Sequence, residues 1–262
     1  MKRLSSSVLL AAGIVCGLSL LPTVAHADTT TDIDISSQYG GGGVYPSGNW
    51  SDALGGPTFA TASTSGNTGT GITFANWAAK FSEIDAGSNR TFSMGGVALT
   101  SDSVVNTLIN TFYGDSGIDG TITFTNSNGD TAVYLLYGDQ TVRDYNQAFY
   151  SNDLPGSNTA AGGGAVTTKN WWNNGNTGIQ DASQRLDVQT FVLPTSWDGT
   201  TLTSMNINVS SAAFADDVLS AAQVVNVTPS TSPIPEPSSL ALLGTGLVGV
   251  VGAVRRRLAR HS

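Results

Sequence analysis

The sequence predicts a mostly β protein, an antiparallel β-sandwich with one short helix, plus an N-terminal signal helix and a C-terminal transmembrane helix. Three observations lead to this prediction. Roughly eight to ten short segments alternate apolar and polar residues or are rich in β-branched ones. Glycine, proline, asparagine and aspartate separate these segments, as they do in turns. Only one stretch between the two ends has helical spacing, so two packed antiparallel sheets are the expected architecture.

The N-terminal residues 1–27 have the three parts of a secretory signal peptide. Two basic residues come first and a largely apolar stretch follows. Ala25 and Ala27 are the small residues that flank the expected cleavage site. We therefore expect the exported chain to begin at Asp28.

The C-terminal end has the pattern of a membrane segment. Residues 229–237 form a linker rich in Pro, Ser and Thr, residues 238–254 are uncharged, and residues 255–262 form a basic tail. The seventeen uncharged residues make a helix of roughly 26 Å, close to the bilayer's hydrocarbon thickness of about 30 Å. Arginines directly after an apolar run keep that end in the cytoplasm. We predict a transmembrane helix; the alternative is a buried core helix.

Three parts of this end follow one another in order. They are Pro235-Glu236-Pro237, the apolar segment, and the basic cluster Arg255, Arg256 and Arg257. In order, spacing and terminal position they resemble a PEP-CTERM sorting signal, and the resemblance covers about residues 233–262. It implies that an exosortase processes the chain near the Pro-Glu-Pro. It also implies a precursor held in the inner membrane of a Gram-negative bacterium, and then a protein of the cell surface or extracellular matrix. Bacteria with this system usually export polysaccharide.

Between the two ends, residues 28–228 form the predicted sandwich domain. Its first strand is expected at residues 32–36, and a long glycine-rich loop at residues 40–71 follows. Further strands are expected at residues 72–74, 81–84, 91–99, 186–193, 202–209 and 221–227.

A hairpin and a helix complete the predicted elements. Residues 121–125 and 131–137 alternate on either side of the turn sequence Asn128-Gly129, which is typical of a β-hairpin. The helix is predicted over residues 104–112, where apolar residues recur every four positions after the capping sequence Ser101-Asp102-Ser103.

Three segments of this domain resemble galactose-binding-like jelly-roll domains of secreted bacterial proteins. They lie at residues 107–114, 142–146 and 185–194. The resemblance covers most of residues 30–228 and implies a jelly-roll-like sandwich. This fold is a common carbohydrate-binding scaffold, but a fold does not define a function, and no sugar site transfers position by position.

The composition of the exported domain excludes several kinds of chemistry. It has neither histidine nor cysteine, because His26, His261 and Cys16 all lie in the terminal segments. Histidine triads, cysteine nucleophiles, zinc fingers, haem ligation and disulfides within one chain are therefore excluded. The domain carries five Lys and Arg against eighteen Asp and Glu, a formal net charge of −13. Nucleic acid and anionic lipid are poor partners for such a surface, whereas neutral polysaccharide is compatible with it.

Trp171 and Trp172 are candidate ligand-binding residues. They lie among asparagines, and an exposed indole beside amide groups suits the flat C–H face and the hydroxyls of a sugar. The alternative is that one ring caps the core and the loop half-covers the other. Because neighbours on an extended chain face opposite ways, at most one is expected to be exposed.

Arg143 and Asp144 are the second candidate ligand-binding pair. They follow the predicted hairpin, and an arginine in so acidic a domain is expected to have a carboxylate partner in Asp144 or Asp187. Arg185 and Asp187 lie two residues apart, on one face of a predicted strand. These side chains serve either to bind ligand hydroxyls or to form a structural ion pair.

A structural calcium ion is the one cofactor for which the sequence has candidates, and no metal site is assigned. Calcium needs clustered oxygen ligands. Asp115 and Asp119, then Asp130, and the pair Asp216-Asp217 supply carboxylates in turn-rich stretches. No stretch matches an EF-hand loop, and solvated turn residues are the alternative.

Three classes of function follow. The first is a non-catalytic exported protein that binds exopolysaccharide. The second is a purely structural surface or biofilm component. The third is a polysaccharide-acting enzyme that uses two carboxylates, for which Glu83 is the only glutamate besides that of the sorting signal. We expect no enzyme, because no acid–base pair stands out, and a raised pKa on a buried carboxylate would reopen that class.

Overall fold

A computed structural model describes residues 27–43, 45–52, 62–114, 117–138, 140–146, 158–159, 165–174, 184–212 and 215–228, together with Arg256. Residues 27–228 form one compact unit. Apart from Ala27, the predicted signal peptide lies outside the described residues. The linker and the transmembrane segment also lie outside them, as does the basic tail apart from Arg256. In the described part of the chain, no helix has the length and hydropathy needed to cross a membrane.

Eleven β-strands form within the described residues, with short 3-10 turns at Ser36–Gln38, Trp50–Asp52 and Thr195–Trp197. The strands are β1 (Thr29–Asp32), β2 (Ser82–Ile84), β3 (Asn89–Ala98), β4 (Ser103–Phe112), β5 (Ile118–Asn126), β6 (Thr131–Tyr137), β7 (Asn158–Thr159), β8 (Ala165–Asn173), β9 (Arg185–Val192), β10 (Thr201–Val209) and β11 (Asp216–Asn226).

The strands pair into two antiparallel sheets. The larger sheet has the order β1-β11-β4-β9-β8-β7, and β2 also pairs with β11. β1 and β2 share one edge of β11, since β1 lies opposite residues 223–226 and β2 opposite residues 217–219. The smaller sheet has the order β3-β10-β5-β6.

Side chains from the two sheets meet in one hydrophobic core. Ile109 and Phe191 of the larger sheet and Ile122 and Met205 of the smaller one are fully buried in it. Two sheets that bury apolar residues between them form a sandwich. This arrangement confirms the predicted mostly β, antiparallel, sandwich-like architecture.

The opposite face of the larger sheet is buried as well. Leu108, Leu186 and Val218 pack there in a second cluster, against Trp50 and Phe74 from the segments that precede β2. These long loop segments therefore cover the outer face of the larger sheet. The strands in the middle of that sheet are buried on both sides.

The helix predicted over residues 104–112 is wrong, because these residues form β4. β4 lies between β11 and β9, and one of its faces contacts each core. A strand buried on both sides has apolar residues at odd and even positions, so the two-residue period is lost. The chance spacing of Val104, Leu108 and Phe112 then imitates a helical stripe.

Several predicted strands are confirmed, and others are not. The hairpin β5–β6 forms around Gly129, and β2, β3, β9, β10 and β11 fall on predicted segments. The first strand is Thr29–Asp32 instead of residues 32–36, and residues 72–74 form no strand. β8 was missed, because a β-bulge at Trp171 breaks its alternation.

Candidate functional site

Arg143 and Asp187 form an ion pair inside the larger sheet. Arg143 donates from Nε to Asp187 Oδ2 at 2.7 Å and from Nη2 to Oδ1 at 2.6 Å. Neither side chain has any exposed surface. Two parallel charge-assisted hydrogen bonds are the strongest geometry available to this pair.

Amide side chains satisfy the rest of the Asp187 carboxylate. Asn170 donates to Asp187 Oδ1 at 3.2 Å and Asn110 to Oδ2 at 3.4 Å. Asn110 in turn accepts the backbone N–H of Asp187 at 3.0 Å. Burial is the largest single effect and raises the pKa of Asp187. The charge and hydrogen bonds of Arg143, the Arg185 charge and the Asn170 hydrogen bond together hold the pKa below its usual value. Asp187 is therefore an ionised carboxylate with a complete set of partners.

The chain segment that carries Arg143 is part of the sheet. Thr111 donates its N–H to the Arg143 carbonyl at 3.0 Å, and Tyr145 donates its own to the Thr111 carbonyl at 3.1 Å. On the other side, Arg185 donates its N–H to the Tyr145 carbonyl at 2.9 Å. The segment thus fills the gap between β4 and β9 beyond the point where their own ladder ends at Leu108.

Asp144 is used by the backbone around it. Its carboxylate accepts the N–H of Gly114 at 3.2 Å and that of Asn146 at 2.5 Å. Burial raises the pKa of Asp144 to about 6, against the lowering effect of these hydrogen bonds and of the Arg185 charge. As whole residues, Arg143 and Asp144 are only 1% and 5% exposed. Of the two alternatives for Arg143, the structure contains the ion pair.

Trp171 and Trp172 are both buried, at 0% and 5% exposure. The bulge between Asn170 and Trp172 breaks the alternation of β8, so that the two neighbouring rings pack in the same outer cluster. Trp171 donates its indole N–H to the Ile72 carbonyl at 2.9 Å and meets Phe74 edge to face. Neither indole presents an open face for a sugar in this structure.

The calcium candidates are not brought together. Asp115 lies outside the described residues, and Asp119 is fully buried near the start of β5. Asp130 is exposed in the β5–β6 turn, at the other end of the hairpin, and accepts a hydrogen bond from Asn126 at 3.0 Å. The structure therefore places Asp119 and Asp130 too far apart along β5 to share an ion.

One calcium candidate, Asp216, does meet two further carboxylates. One oxygen from each of Glu83, Asp85 and Asp216 lies within 4.8 Å of the others, because β2 pairs with the start of β11. Backbone N–H groups hold the carboxylates in place, with Gly42 donating to Glu83 at 2.8 Å and Ala86 to Asp216 at 2.8 Å. Partial burial, followed by the charges of Glu83 and Asp85, raises the pKa of Asp216. Hard cations such as calcium prefer this kind of oxygen donor set.

Sequence reasoning missed most of this cluster. The sequence indicated Asp216 only as one half of the pair Asp216-Asp217. The structure instead places Glu83 and Asp85 beside Asp216. The one available signal was Glu83-Ile84-Asp85, whose two acids lie two residues apart at the end of a predicted strand. Which acid of β11 would meet them depends on the strand register.

Asp217 points to the other face of β11. Its carboxyl group is fully buried, and no hydrogen-bond partner for either oxygen exists within the described residues. Thr111 lies directly opposite on β4, and its buried hydroxyl likewise has no partner in the described part. Burial, helped by the Asp216 charge, raises the pKa of Asp217 to about 7.

The C-terminal segment matches a known family model. Residues 233–257 match the PEP-CTERM protein-sorting motif, so the chain carries a PEP-CTERM sorting domain at this end. The matched range contains Pro235, Glu236, Pro237 and the three arginines, whose individual roles in sorting stay a prediction. It makes the chain an exported protein that an exosortase processes.

No curated protein and no solved structure matches the chain. The likeness of the sandwich to galactose-binding-like domains therefore stays a prediction.

Proposed function

We propose that this chain is a non-catalytic protein of the cell surface or extracellular matrix of a Gram-negative bacterium, where it contributes to the exopolysaccharide matrix. The observation that carries the proposal is the sorting motif at residues 233–257. Its position after a compact β domain supports delivery of that domain to the outside of the inner membrane. The domain's formal charge of −13 suits a matrix of neutral polymer and cations.

The interior of the domain supports a structural role for the four candidate ligand-binding residues. Arg143, Asp144, Trp171 and Trp172 are all buried. Their polar atoms meet other parts of the same chain, as in the Arg143–Asp187 pair. Ligand binding at these residues would require the sheet or its covering loops to open. Their burial favours the structural alternative at this place.

The sorting part of the proposal is tested in the producing bacterium. The full chain is expressed with Pro235, Glu236 and Pro237 replaced by alanine, and its distribution between inner membrane, cell surface and matrix is measured. We expect the variant to accumulate in the inner membrane, as the unchanged chain does when the exosortase gene is deleted.

The matched control replaces Ser230, Thr231 and Ser232 of the same linker with alanine, which leaves the motif intact. This control should reach the same destination as the unchanged chain. Identical distributions of all three proteins, with and without exosortase, would contradict the proposal.

The carboxylate cluster favours a polysaccharide-acting enzyme as a second candidate. Asp216 has a raised pKa beside Glu83, which is the property expected of a general acid beside a second carboxylate. The test is release of reducing ends from the producer's own polysaccharide by the full chain and by Asp216→Asn. Release that depends on Asp216 would establish the enzyme, and no release above the Asp216→Asn level would exclude it for that substrate.

A further inference from the structure

The outward face of the smaller sheet has a distinctive composition. Thr121, Thr123 and Thr125 follow one another at alternate positions of β5, and Asn206 and Asn208 do so on β10. Thr91 stands on β3 beside Asn206. These six side chains define the uncharged face. Thr91 and Asn208 are exposed, and the other four are half-buried.

Strand register places these groups in rows across the sheet. Thr91, Asn206 and Thr123 are direct neighbours on three adjacent strands, and Val133 of the edge strand β6 continues the row. Val133 is 39% exposed. In the next row Asn208 lies opposite Thr121. One row thus combines hydroxyl and amide groups with an exposed apolar side chain.

No charge interrupts this face. The four strands of the smaller sheet contain only two charged residues, Arg90 and Asp119. Arg90 donates to the Gln38 carbonyl of the first loop at 3.3 Å, and Asp119 is fully buried. Although the domain has a formal charge of −13, the four strands of the smaller sheet expose no acidic side chain on this face.

The chemistry of the face indicates its partner. Hydroxyl and amide groups both donate and accept hydrogen bonds, as the 2.8 Å bond from Asn206 to Thr91 illustrates. Protein–protein interfaces are instead enriched in aromatic residues, methionine and arginine, and none of the six side chains of the face is one of these. The acidic remainder of the domain repels an anionic polymer, whereas an uncharged one meets no such barrier.

We propose that the uncharged face binds a neutral polysaccharide of the extracellular matrix. Sugar hydroxyls pair with the threonines and asparagines, and sugar C–H groups pack on Val133. Four strands and three alternate positions span about 14 Å by 14 Å, which suits a segment of a chain. This inference rests on the proposed function, because it assumes that the domain reaches a polysaccharide matrix.

The test uses the full chain purified in detergent and the neutral polysaccharide isolated from the producer's matrix by passage through an anion exchanger. Asn206→Asp and Asn208→Asp each keep the size of the side chain, add a negative charge and remove a hydrogen-bond donor. We expect saturable binding by the unchanged chain and about tenfold weaker binding by each variant. Because the polymer is neutral, its binding should change little with salt.

Asn128→Asp is the matched control, since Asn128 is exposed in the β5–β6 turn, outside the strands that carry the face. It should bind like the unchanged chain, and melting curves should show that all variants fold. Equal affinity of all four proteins would overturn the site. No binding by the unchanged chain would overturn the inference, and a smaller mass of the two face variants in light scattering would assign the face to a second copy instead. Sorting is measured separately in cells, so failure of the proposed function is recognised independently.

Discussion

Arg143 and Asp187 lie 44 residues apart in sequence and form a two-point ion pair with no exposed surface. The pair joins the segment after the β5–β6 hairpin to β9 and fills the space where the β4–β9 ladder stops. A buried pair with complete hydrogen bonding specifies which segment occupies this gap, even where its net contribution to stability is small.

We predict that Asp187→Asn lowers the free energy of unfolding by about 3–5 kcal/mol, because it leaves the Arg143 guanidinium buried without a counter-charge. Urea unfolding followed by tryptophan fluorescence measures the effect. Asp198→Asn, at an exposed turn position, is the control and should change stability by less than about 0.5 kcal/mol.

Replacement of both partners adds a second measurement to this prediction. Arg143→Met combined with Asp187→Leu removes both charges, and we expect the double variant to be more stable than Asp187→Asn. A double variant that is less stable than Asp187→Asn would contradict this expectation. It would show that the pair stabilises the fold by more than the mutual neutralisation of its two charges.

Asp217 predicts a pH dependence of stability. Its pKa is about 7 in the folded chain, against a usual value of 3.8. Between these values the folded state holds a proton that the unfolded state has lost. Stability from this group is therefore complete at low pH and falls as pH rises towards 7, by about 1.4 kcal/mol per pH unit.

Asp217→Asn should abolish that slope, since an amide does not titrate. The difference in unfolding free energy between the variant and the unchanged chain, measured from pH 4 to pH 8 (about the range of the shift), isolates this group from the other acids. We expect the variant to gain stability relative to the unchanged chain as pH rises. Parallel pH profiles of the two proteins would contradict the prediction.

Gly66 tests the cover over Trp171. Gly66 has φ +64°, and a Cβ atom there would collide with the Trp171 carbonyl oxygen. That same oxygen accepts the N–H of Asn67 at 3.1 Å, so the loop cannot move away without breaking this hydrogen bond. We predict that Gly66→Ala lowers the melting temperature and increases quenching of tryptophan fluorescence by acrylamide.

Gly69→Ala is the control for this change. Gly69 has φ +75°, yet nothing lies within 4 Å of an added Cβ. It should therefore show only the cost of a left-handed residue, about 1–2 kcal/mol. Equal effects of the two substitutions on the melting temperature would mean that the close approach of the loop to Trp171 contributes nothing to stability.

Asp216 tests the electrostatics of the carboxylate cluster. With EDTA present, Glu83, Asp85 and Asp216 repel one another, and the raised pKa of Asp216 means that its ionisation costs stability as pH rises. We predict that Asp216→Asn stabilises the chain in EDTA near neutral pH by less than about 1 kcal/mol. The Asn oxygen still accepts the Ala86 N–H.

Thermal melting with EDTA and then with calcium measures this effect, with the exposed Asp102→Asn as the control. Destabilisation by Asp216→Asn in EDTA would contradict the prediction. A rise in melting temperature with calcium that only Asp216→Asn lacks would show that the cluster binds the ion.

The β-rich class and the β5–β6 hairpin were predictable from sequence because their signals are local. Alternation and an Asn-Gly turn act within about ten residues. β4 was misread as a helix because its burial comes from two different layers, and a double-sided strand loses its period. β8 was missed because the bulge at Trp171 shifts its alternation by one residue.

The candidate sites were harder to predict because they depend on which strands pair, and that is not a local property of the sequence. Arg143 was expected to have a carboxylate partner, but only strand pairing chose Asp187 over Asp144. The threonines of β5 read as ordinary strand residues. They form the uncharged face only together with Asn206 and Thr91, which come from distant parts of the chain.

The sequence by itself determined where this protein goes and which chemistry it lacks. A sorting signal is read as a linear segment, and a domain without histidine or cysteine cannot acquire their chemistry by folding. The tertiary structure decided which side chains face water. Burial depends on long-range strand pairing and on loops that cover a sheet. For this reason Trp171 and Arg143 are buried, whereas the uncharged face lies on the outside of the domain.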